Sequence, residues 1–416
     1  MRIQRVNNLN NIIDTPIRIN NTEIRNRVVF QPMEGCDGKR NGAIDELTRR
    51  RYLRFSRSGA GIVWFEATAV CAEGRANPRQ LYINEETKES YKELLAEMRE
   101  TAKKECGFAP LIIVQLTHSG RFSKPEGTPA PIVAYRNSHW EKGKENQPYV
   151  IADDDYCKGI SDKYFAAAKL AREVGFDGID VKCCHGYLFN EFLSATQREG
   201  IYGGSFENRS RLFLECVDSV KRAVGEDLIV TTRLNACDCF PYPYGYGVNS
   251  DNEIDLTEAK MLISELENRG IELINLTLGN PYLIPHINRP CINSPEDGNV
   301  GMKRIYKVTK ELREAFPKLK FVMSGLTFEG ENAVDYAENA LKDGVADFAG
   351  FGRLTFAYPM FYRDYLEKGK LEKSKVCLKC SKCTELMRNA SVAGCPVRDS
   401  EVYMPYYRKH VLKKED

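Results

Sequence analysis

Apolar runs of strand length recur along the chain at a spacing that leaves room for a helix between them. They are VVFQPM (28–33), GIVWFEAT (61–68), LIIVQLT (111–117), GIDVKC (178–183), LIVTTRL (228–234), LINLTLG (273–279), KFVMSGL (320–326) and DFAGFGR (347–353). Most are continuously apolar rather than alternating, the pattern of parallel strands covered on both faces. Between them lie amphipathic segments such as ETKESYKELLAEMRETAKKE (86–105), DKYFAAAKLAREV (162–174) and TEAKMLISELENRG (257–270). In the first, Tyr91, Leu94, Leu95 and Met98 share one face, with charge opposite. Gly175, Gly225, Gly270 and Gly344 follow four helical patterns at the place where a left-handed residue ends a helix. Eight strands alternating with helices close either as an open doubly wound sheet or as a (β/α)8 TIM barrel, and the count of eight favours the barrel.

Three segments stand outside the alternation. Residues 14–27 (DTPIRINNTEIRNR) read as a short hairpin turning at Asn20-Asn21, placed like a plug on the barrel floor. Residues 118–160, rich in Pro, Gly, Asn and Asp, form a long connection after the third strand, of the kind that serves as a lid over a barrel's carboxyl-terminal face. Residues 369–416 follow the barrel and carry a cysteine cluster, so the expected division is a barrel over 1–368 and a cluster-binding tail over 369–416.

Composition narrows the function. The 416 residues are 42% hydrophobic and 28% charged, with 60 Lys+Arg against 58 Asp+Glu, a globular balance. A net charge of +2 provides no basic excess for a nucleic-acid backbone. No run approaches the roughly 18 apolar residues of a membrane span. The N-terminal MRIQRVNNLNNIID lacks the apolar core of an export signal, so the expected location is the cytoplasm. Fourteen cysteines are then out of line, because a reducing compartment disfavours disulfides. Cys377, Cys380, Cys383 and Cys395 form C-x2-C-x2-C-x11-C, with Pro396 directly after the last. Such gaps let thiolates converge on one metal centre. The pattern favours a 4Fe–4S cluster, with zinc as the alternative because zinc more often takes two separated C-x2-C pairs. The other ten cysteines have no ligand spacing and read as packing residues.

If the strands close into a barrel, their carboxyl ends carry the chemistry. These ends present Pro32-Met33-Glu34, Glu66-Ala67, Gln115, Lys182, His185, Tyr187, Arg233, Ser324-Gly325 and Gly350 to Arg353. Polar donors end the third to fifth strands and glycines the last two, a layout suited to a phosphate-bearing cofactor with a polar heterocycle.

The segment 175–225, with HGYL, EFLS and YGGSFENR, closely resembles the central signature of the old yellow enzyme family of FMN-dependent NAD(P)H oxidoreductases. The likeness continues in NRVVFQPM (26–33), EATAV (66–70), QLTHSGR (115–121) and GFGR (350–353), and so covers the whole barrel. A four-cysteine cluster just after the barrel resembles the iron–sulfur branch, which includes 2,4-dienoyl-CoA reductase and trimethylamine dehydrogenase. The resemblance implies that Pro32, Met33 and Ala67 touch the isoalloxazine and that Gln115 hydrogen-bonds its pyrimidine edge. It implies Arg233 at flavin N1/C2=O, and Gly325, Gly352 and Arg353 at the FMN phosphate. It further implies an ene-reductase: hydride passes from reduced flavin to the β-carbon of an enone or enoate, His185 and Lys182 stabilise the carbonyl oxygen, and Tyr187 protonates the α-carbon.

The sequence departs from the family in places. Position 182 is Lys where relatives carry His or Asn, and that lysine would pair with substrate or with Asp180 or Glu66. Glu34 stands where many relatives place Cys or Thr near flavin C4=O, and it receives no role. Cys36 has the wrong offset from Pro32 for a cysteinyl-flavin link. The sequence ends 21 residues after Cys395, with no strand-to-helix G-x-G-x-x-G, so electrons are expected from NAD(P)H at the flavin or from a partner protein. Two other readings stay open. One is an amine dehydrogenase or demethylase using an aromatic cage from Tyr242, Tyr244 and Tyr246. The other is an electron-transfer subunit without a substrate of its own. Assembly of like chains into an oligomer is left open.

Overall fold

A computed structural model describes residues 11–143 and 146–414. The segment read for an export signal therefore lies mostly outside the described residues. Eight parallel strands close into a barrel: β1 Val28–Phe30, β2 Ile62–Ala69, β3 Leu111–Thr117, β4 Gly178–Val181, β5 Ile229–Asn235, β6 Leu273–Thr277, β7 Lys320–Met323 and β8 Phe348–Phe351. Each pairs with its neighbours in chain order, and β8 pairs with β1 through Gly350 opposite Val29. The expected (β/α)8 barrel is the observed fold, with strand positions shifted by only a few residues.

The helices after the strands are α1 Glu46–Ser56, α2 Lys88–Cys106, α3 Asp154–Val174, α4 Phe206–Val224, α5 Thr257–Asn268, α6 Gly298–Ala315, α7 Ala333–Lys342 and α8 Phe361–Lys368. Gly175, Gly270 and Gly344 have φ of 97°, 73° and 67°, the left-handed ends that the sequence pattern anticipates. Helix α3 begins well before the predicted 162, because the Asp153 side chain accepts the Tyr156 N–H and Asp154 and Asp155 favour the positive first turn. The long connection thus ends at Asp153. It holds a short parallel pair, Ile132–Val133 with Val150–Ile151, and one helical turn at Ser138–Glu141.

Alternation sorts each strand between two environments. Val28, Phe30, Val63, Phe65, Ile112, Val114 and Leu116 point outward against the helices. Val29, Ile62, Trp64, Ile113, Ile229, Leu273, Val322 and Phe348 point inward and form the floor layer. Every strand except β4 contributes there. At that place β4 has Gly178, where an added Cβ would lie 2.9 Å from the Ile229 carbonyl oxygen. The predicted hairpin plugs this floor: Ile19 pairs opposite Thr22 across Asn20-Asn21, and Ile19 and Ile24 pack into the same cluster.

Above the floor the inward face turns polar, which continuous apolar runs did not announce. Gln31 and Asn275 exchange amide hydrogen bonds of 3.0 and 2.8 Å across the barrel. Asp180 accepts from Trp64 Nε1 at 2.9 Å, Gln115 Nε2 at 2.6 Å and the Arg233 backbone N–H at 2.6 Å. A buried carboxylate is tolerated here because three donors surround it.

The tail after α8 contains α9 Lys382–Arg388 and α10 Ser400–His410 and packs on the carboxyl-terminal side of the barrel. Ala393 N–H donates to the Gly35 carbonyl at 2.6 Å, and Arg50 of α1 grips Asp399 with both guanidinium nitrogens at 2.7 and 2.9 Å. Leu386, Val392, Tyr403 and Tyr407 form its own small core against Leu47.

Candidate active site

A cleft at the carboxyl ends of the strands encloses about 1110 Å³, open solvent included. It brings together ten of the eleven barrel residues singled out from sequence. Pro32, Met33, Gln115, Arg233, Gly325, Gly352 and Arg353 line one stretch, and Lys182, His185 and Tyr187 line the other. Ala67 is the exception: it is buried outside this lining, and its carbonyl accepts from Gln80 Nε2 at 3.1 Å.

Asp180 organises the part of the cleft around Gln115 and Arg233. Its contact with Gln115 Nε2 fixes the side-chain amide so that Oε1 remains available as an acceptor. Burial pushes the Asp180 carboxyl up to about 6, against the lowering effect of its three donors. Arg233 sits beside it, buried, with Nε unpartnered. Desolvation lowers its pKa from the ordinary value.

At the other end, four side chains form one cluster. Lys182 Nζ lies 3.8 Å from Glu34 Oε1 and 3.6 Å from the centre of the Tyr187 ring. Neither alternative ion partner anticipated for Lys182 is used: Asp180 is bonded within the barrel, and Glu66 belongs to a buried network with Arg51, Asp37 and the Gly35 N–H. Tyr187 O–H donates to Glu34 Oε1 at 3.1 Å, and the Tyr282 hydroxyl lies 2.9 Å from the Tyr187 oxygen. Burial, then Glu34 and Tyr282, hold the Tyr187 phenol well above its usual range. Desolvation lowers Lys182, opposed by Glu34.

His185 adopts φ of 66°, a left-handed conformation that aims its ring into the cleft. Burial first, then Arg233, Lys182 and Arg289, depress its pKa far below the ordinary range, so the ring is neutral. The Asn288 amide, which donates to Thr277 Oγ1 at 2.5 Å, also meets His185 Nε2 at 3.2 Å. Nε2 is then the acceptor, and the ring's proton sits on Nδ1.

The opposite end is a positive cradle. Arg353 donates through Nη2 to the Pro290 carbonyl at 2.8 Å and leaves Nη1 buried without a partner. Gly325 has φ of 87°, and an added Cβ at Gly352 would lie 3.3 Å from Met33 Sδ. Arg289, absent from the sequence reading, joins Arg353 here; burial and that neighbour lower its pKa to about 10. Among the described residues, Arg233, Arg289 and Arg353 form no ion pair with a carboxylate. Glu34, Tyr282, Asn288 and Arg289 are the participants without an assigned role in the sequence; Glu34, Tyr282 and Arg289 lie on loops and Asn288 ends a single helical turn, Pro285–Asn288, all beyond the reach of strand or helix periodicity.

Cys377, Cys380, Cys383 and Cys395 line a separate pocket of about 350 Å³, open solvent included, that shares Arg353, Phe356 and Cys383 with the cleft. Left-handed Lys379 and Ser381, with φ of 61° and 59°, turn the chain between these cysteines. The backbone N–H groups of Lys379 and Arg398 point at Cys377 Sγ and Cys395 Sγ, at 3.4 and 3.3 Å. Among the described residues, Cys71, Glu73 and His118 place ligand-type atoms within 4.8 Å of one another, and the four tail sulfurs supply no such compact trio. Tyr242, Tyr244 and Tyr246 do not line the cleft: Tyr242 is exposed, Tyr244 stacks on His139 and Tyr246 is buried. Cys36 lines a neighbouring groove and not the cleft.

The profile of the NADH:flavin oxidoreductase / NADH oxidase family matches residues 13–368. The chain is 27% identical over 374 residues to an NADH oxidase of Thermoanaerobacter brockii, covering 88% of this chain and 52% of that protein. It is 29% identical over 272 residues to an NADPH dehydrogenase of Clostridium acetobutylicum, covering 64% and 76% respectively. The chain thus spans about half the length of the Thermoanaerobacter relative. Among solved structures it resembles a 2-naphthoyl-CoA reductase in complex with 2-naphthoyl-CoA (TM-score 0.75, 21% identity, 93% of this chain and 56% of that one). It also resembles an old yellow enzyme homologue from Zymomonas mobilis (TM-score 0.65, 24% identity, 87% and 94%). These structural likenesses bear on the fold. No helix among the described residues is long and apolar enough to cross a membrane.

Proposed function

The chain belongs to the NADH:flavin oxidoreductase / NADH oxidase family, the old yellow enzymes, and from that premise we propose that it binds FMN in the cleft and reduces the activated C=C bond of an α,β-unsaturated carbonyl compound. The donor set fits the cofactor: a buried unpartnered Arg353 Nη1 and Gly325 and Gly352 suit its phosphate, and the Oε1 of Gln115 suits a ring N–H. When bound and reduced, the flavin supplies a hydride to the substrate's β-carbon.

The chain's own groups do the rest. The Nδ1–H of His185 and the ammonium of Lys182 meet the carbonyl oxygen, where negative charge grows, and so favour the transition state over the ground state. Tyr187 gives its proton to the α-carbon. The observation that carries this reading is the convergence of His185, Lys182 and Tyr187 on one cleft that also holds Gln115, Arg233 and Arg353.

The amine-dehydrogenase reading gains less support. The three-tyrosine loop stands away from the cleft, and Lys182 already covers the Tyr187 ring, the face a substrate ammonium would need. For the tail, 369–416, we propose a 4Fe–4S cluster on Cys377, Cys380, Cys383 and Cys395. The C-x2-C-x2-C-x11-C spacing supports this over zinc, which more often takes two separated C-x2-C pairs. Electrons would arrive from NAD(P)H or from a donor protein, in a cytoplasmic setting that keeps the remaining thiols reduced.

Anaerobic titration of the reduced holoenzyme tests the proposal. Enones should reoxidise the flavin within turnover times, whereas bleaching of oxidised flavin by amines, with no response to enones, would reverse the assignment.

A further inference from the structure

Tyr187 is buried, and a general acid that gives up a proton in every turnover must be reloaded from somewhere. Its hydroxyl has one hydrogen, and that hydrogen is donated to Glu34 Oε1 at 3.1 Å. The Tyr282 hydroxyl, 2.9 Å from the same oxygen, must then be the donor of the second bond. Tyr282 is held by stacking on Phe122, ring centres 3.7 Å apart, and by the Asn280 side chain, which accepts its backbone N–H at 2.9 Å. Beyond the cluster lies a second, wider groove of about 2520 Å³, open solvent included. Glu34 and Tyr282 line both spaces and so stand in the wall between them. The Glu34 side chain is 14% exposed against 4% for Lys182, and Tyr282 is likewise half-buried, so these two are the members of the cluster in touch with water.

We propose that Glu34 and Tyr282 are the proton relay that reloads Tyr187 from solvent in the wider groove; this rests on the reading of Tyr187 as the acid. Tyr187 loses its proton to the substrate α-carbon, and the O–H of Tyr282 steadies the resulting phenolate. The Glu34 carboxyl passes a proton to that oxygen, and the Glu34 carboxylate recovers one from water in the groove. One solvent proton is consumed per product and no electron moves. Lys182, 3.8 Å from Glu34, keeps the carboxylate in place between deliveries. An ionised Glu34 draws the Tyr187 hydrogen away from substrate, whereas a protonated Glu34 donates to the phenol oxygen and frees that hydrogen to point at the α-carbon. The relay therefore sets orientation as well as supply.

The test is multiple-turnover oxidation of the holoenzyme, kept reduced by NAD(P)H and with the oxidant limiting, in H2O and D2O, by an enone and by ferricyanide, which takes electrons without needing a delivered proton. Glu34→Gln keeps an acceptor but carries no exchangeable acid, and Tyr282→Phe removes only the hydroxyl. Each should slow the enone reaction about tenfold or more and enlarge its deuterium solvent effect, lowering the ratio of enone to ferricyanide rates. Tyr187→Phe should slow it further. If both relay variants reoxidise with enone at the native rate while Tyr187→Phe is slow, the relay is wrong and the reading of the site stands. If enone and ferricyanide slow equally in the relay variants, the residues are structural and the relay is again overturned. If Tyr187→Phe is itself unimpaired, the reading of Tyr187 falls, and the relay with it.

Discussion

Asp180→Asn probes the polar layer that positions Gln115 and Arg233, the groups proposed to face the flavin. Asp180 receives three donors: Trp64 Nε1 and Gln115 Nε2 on one oxygen and the Arg233 N–H on the other. Asparagine offers one acceptor and one NH2, so whichever way it turns, at least one buried donor is orphaned, at about 1–3 kcal/mol. A second effect opposes this. Burial moves the carboxyl from 3.8 in the unfolded chain to about 6 in the folded one. A carboxyl raised in this way contributes stability that is complete below the unfolded value and is lost as pH climbs through the folded value, here about 3 kcal/mol. The asparagine variant lacks that loss. Relative to native protein it should be about 1–3 kcal/mol less stable near pH 4, and the gap should close or reverse by pH 7. Glu66, also raised by burial, to about 7, titrates in both proteins and cancels in the difference. Urea unfolding from pH 4 to 7.5, at fixed salt and saturating FMN, measures the gap. A constant gap, or one that widens with pH, would refute the assignment of Asp180 as a carboxylate ionised against burial.

Arg51→Met leaves Asp37 and Glu66 buried without their shared cation and should cost about 3–5 kcal/mol at pH 7.5 by denaturant unfolding. The deficit should shrink as pH falls through the range where Glu66 takes up a proton. Arg353→Ala removes a charged donor from the phosphate cradle; a loss of about 1.5–3 kcal/mol raises the Kd for FMN about 10- to 150-fold in fluorescence titration, whereas Tyr187→Phe should leave it unchanged. Arg233→Ala removes the fixed cation proposed to sit beside the reduced flavin and should lower the two-electron midpoint by about 30–65 mV, read by dye-equilibrated reduction. Protein purified without oxygen should carry about four irons and four labile sulfides per chain; one zinc in their place would remove the cluster from the account.

Most of the architecture was legible because it follows from period and punctuation. The eight strands, the floor hairpin with its Asn20-Asn21 turn and three of the helix-ending glycines lie where alternation and turn chemistry place them. Lys182, His185, Tyr187 and Arg233 were legible as cleft residues because a barrel presents strand ends on one face. The partners of Lys182 were not. Asp180, two residues earlier on the same inward face, is its neighbour along the strand, yet it sits one layer deeper and is saturated by groups from β2, β3 and β5. Glu34, Tyr282 and Arg289 arrive on loops after β1 and β6, and no periodicity says how far a loop folds back over a barrel mouth. Early-starting α3 shows a related limit, since its first two turns carry the acidic residues and glycine that a search for an apolar stripe passes over.

Charge explains why these unforeseen residues matter. The cleft is lined by Lys182, Arg233, Arg289, Arg353 and Arg388 as cations and by Glu34 as its carboxylate. Lys182 and Glu34 answer each other, and Arg388, on the rim toward the wider groove, donates to the Pro281 carbonyl at 3.0 Å. Among the described residues, that leaves Arg233 and Arg353, both buried, and half-buried Arg289 without an ion pair to a carboxylate, in a site where desolvation makes each unpaired charge costly. Three positive charges suit a ligand that brings close to two negative charges in a phosphate and gains one more on reduction. With FMN bound as proposed, such a site would hold the oxidised cofactor with positive charge to spare and come into balance on its reduction, a bias toward accepting electrons. On the proposed reading, the Lys182–Glu34 pair would keep the substrate end near neutrality, where a carbonyl could enter without an ion to displace and its developing charge would find His185 and Lys182 already in place.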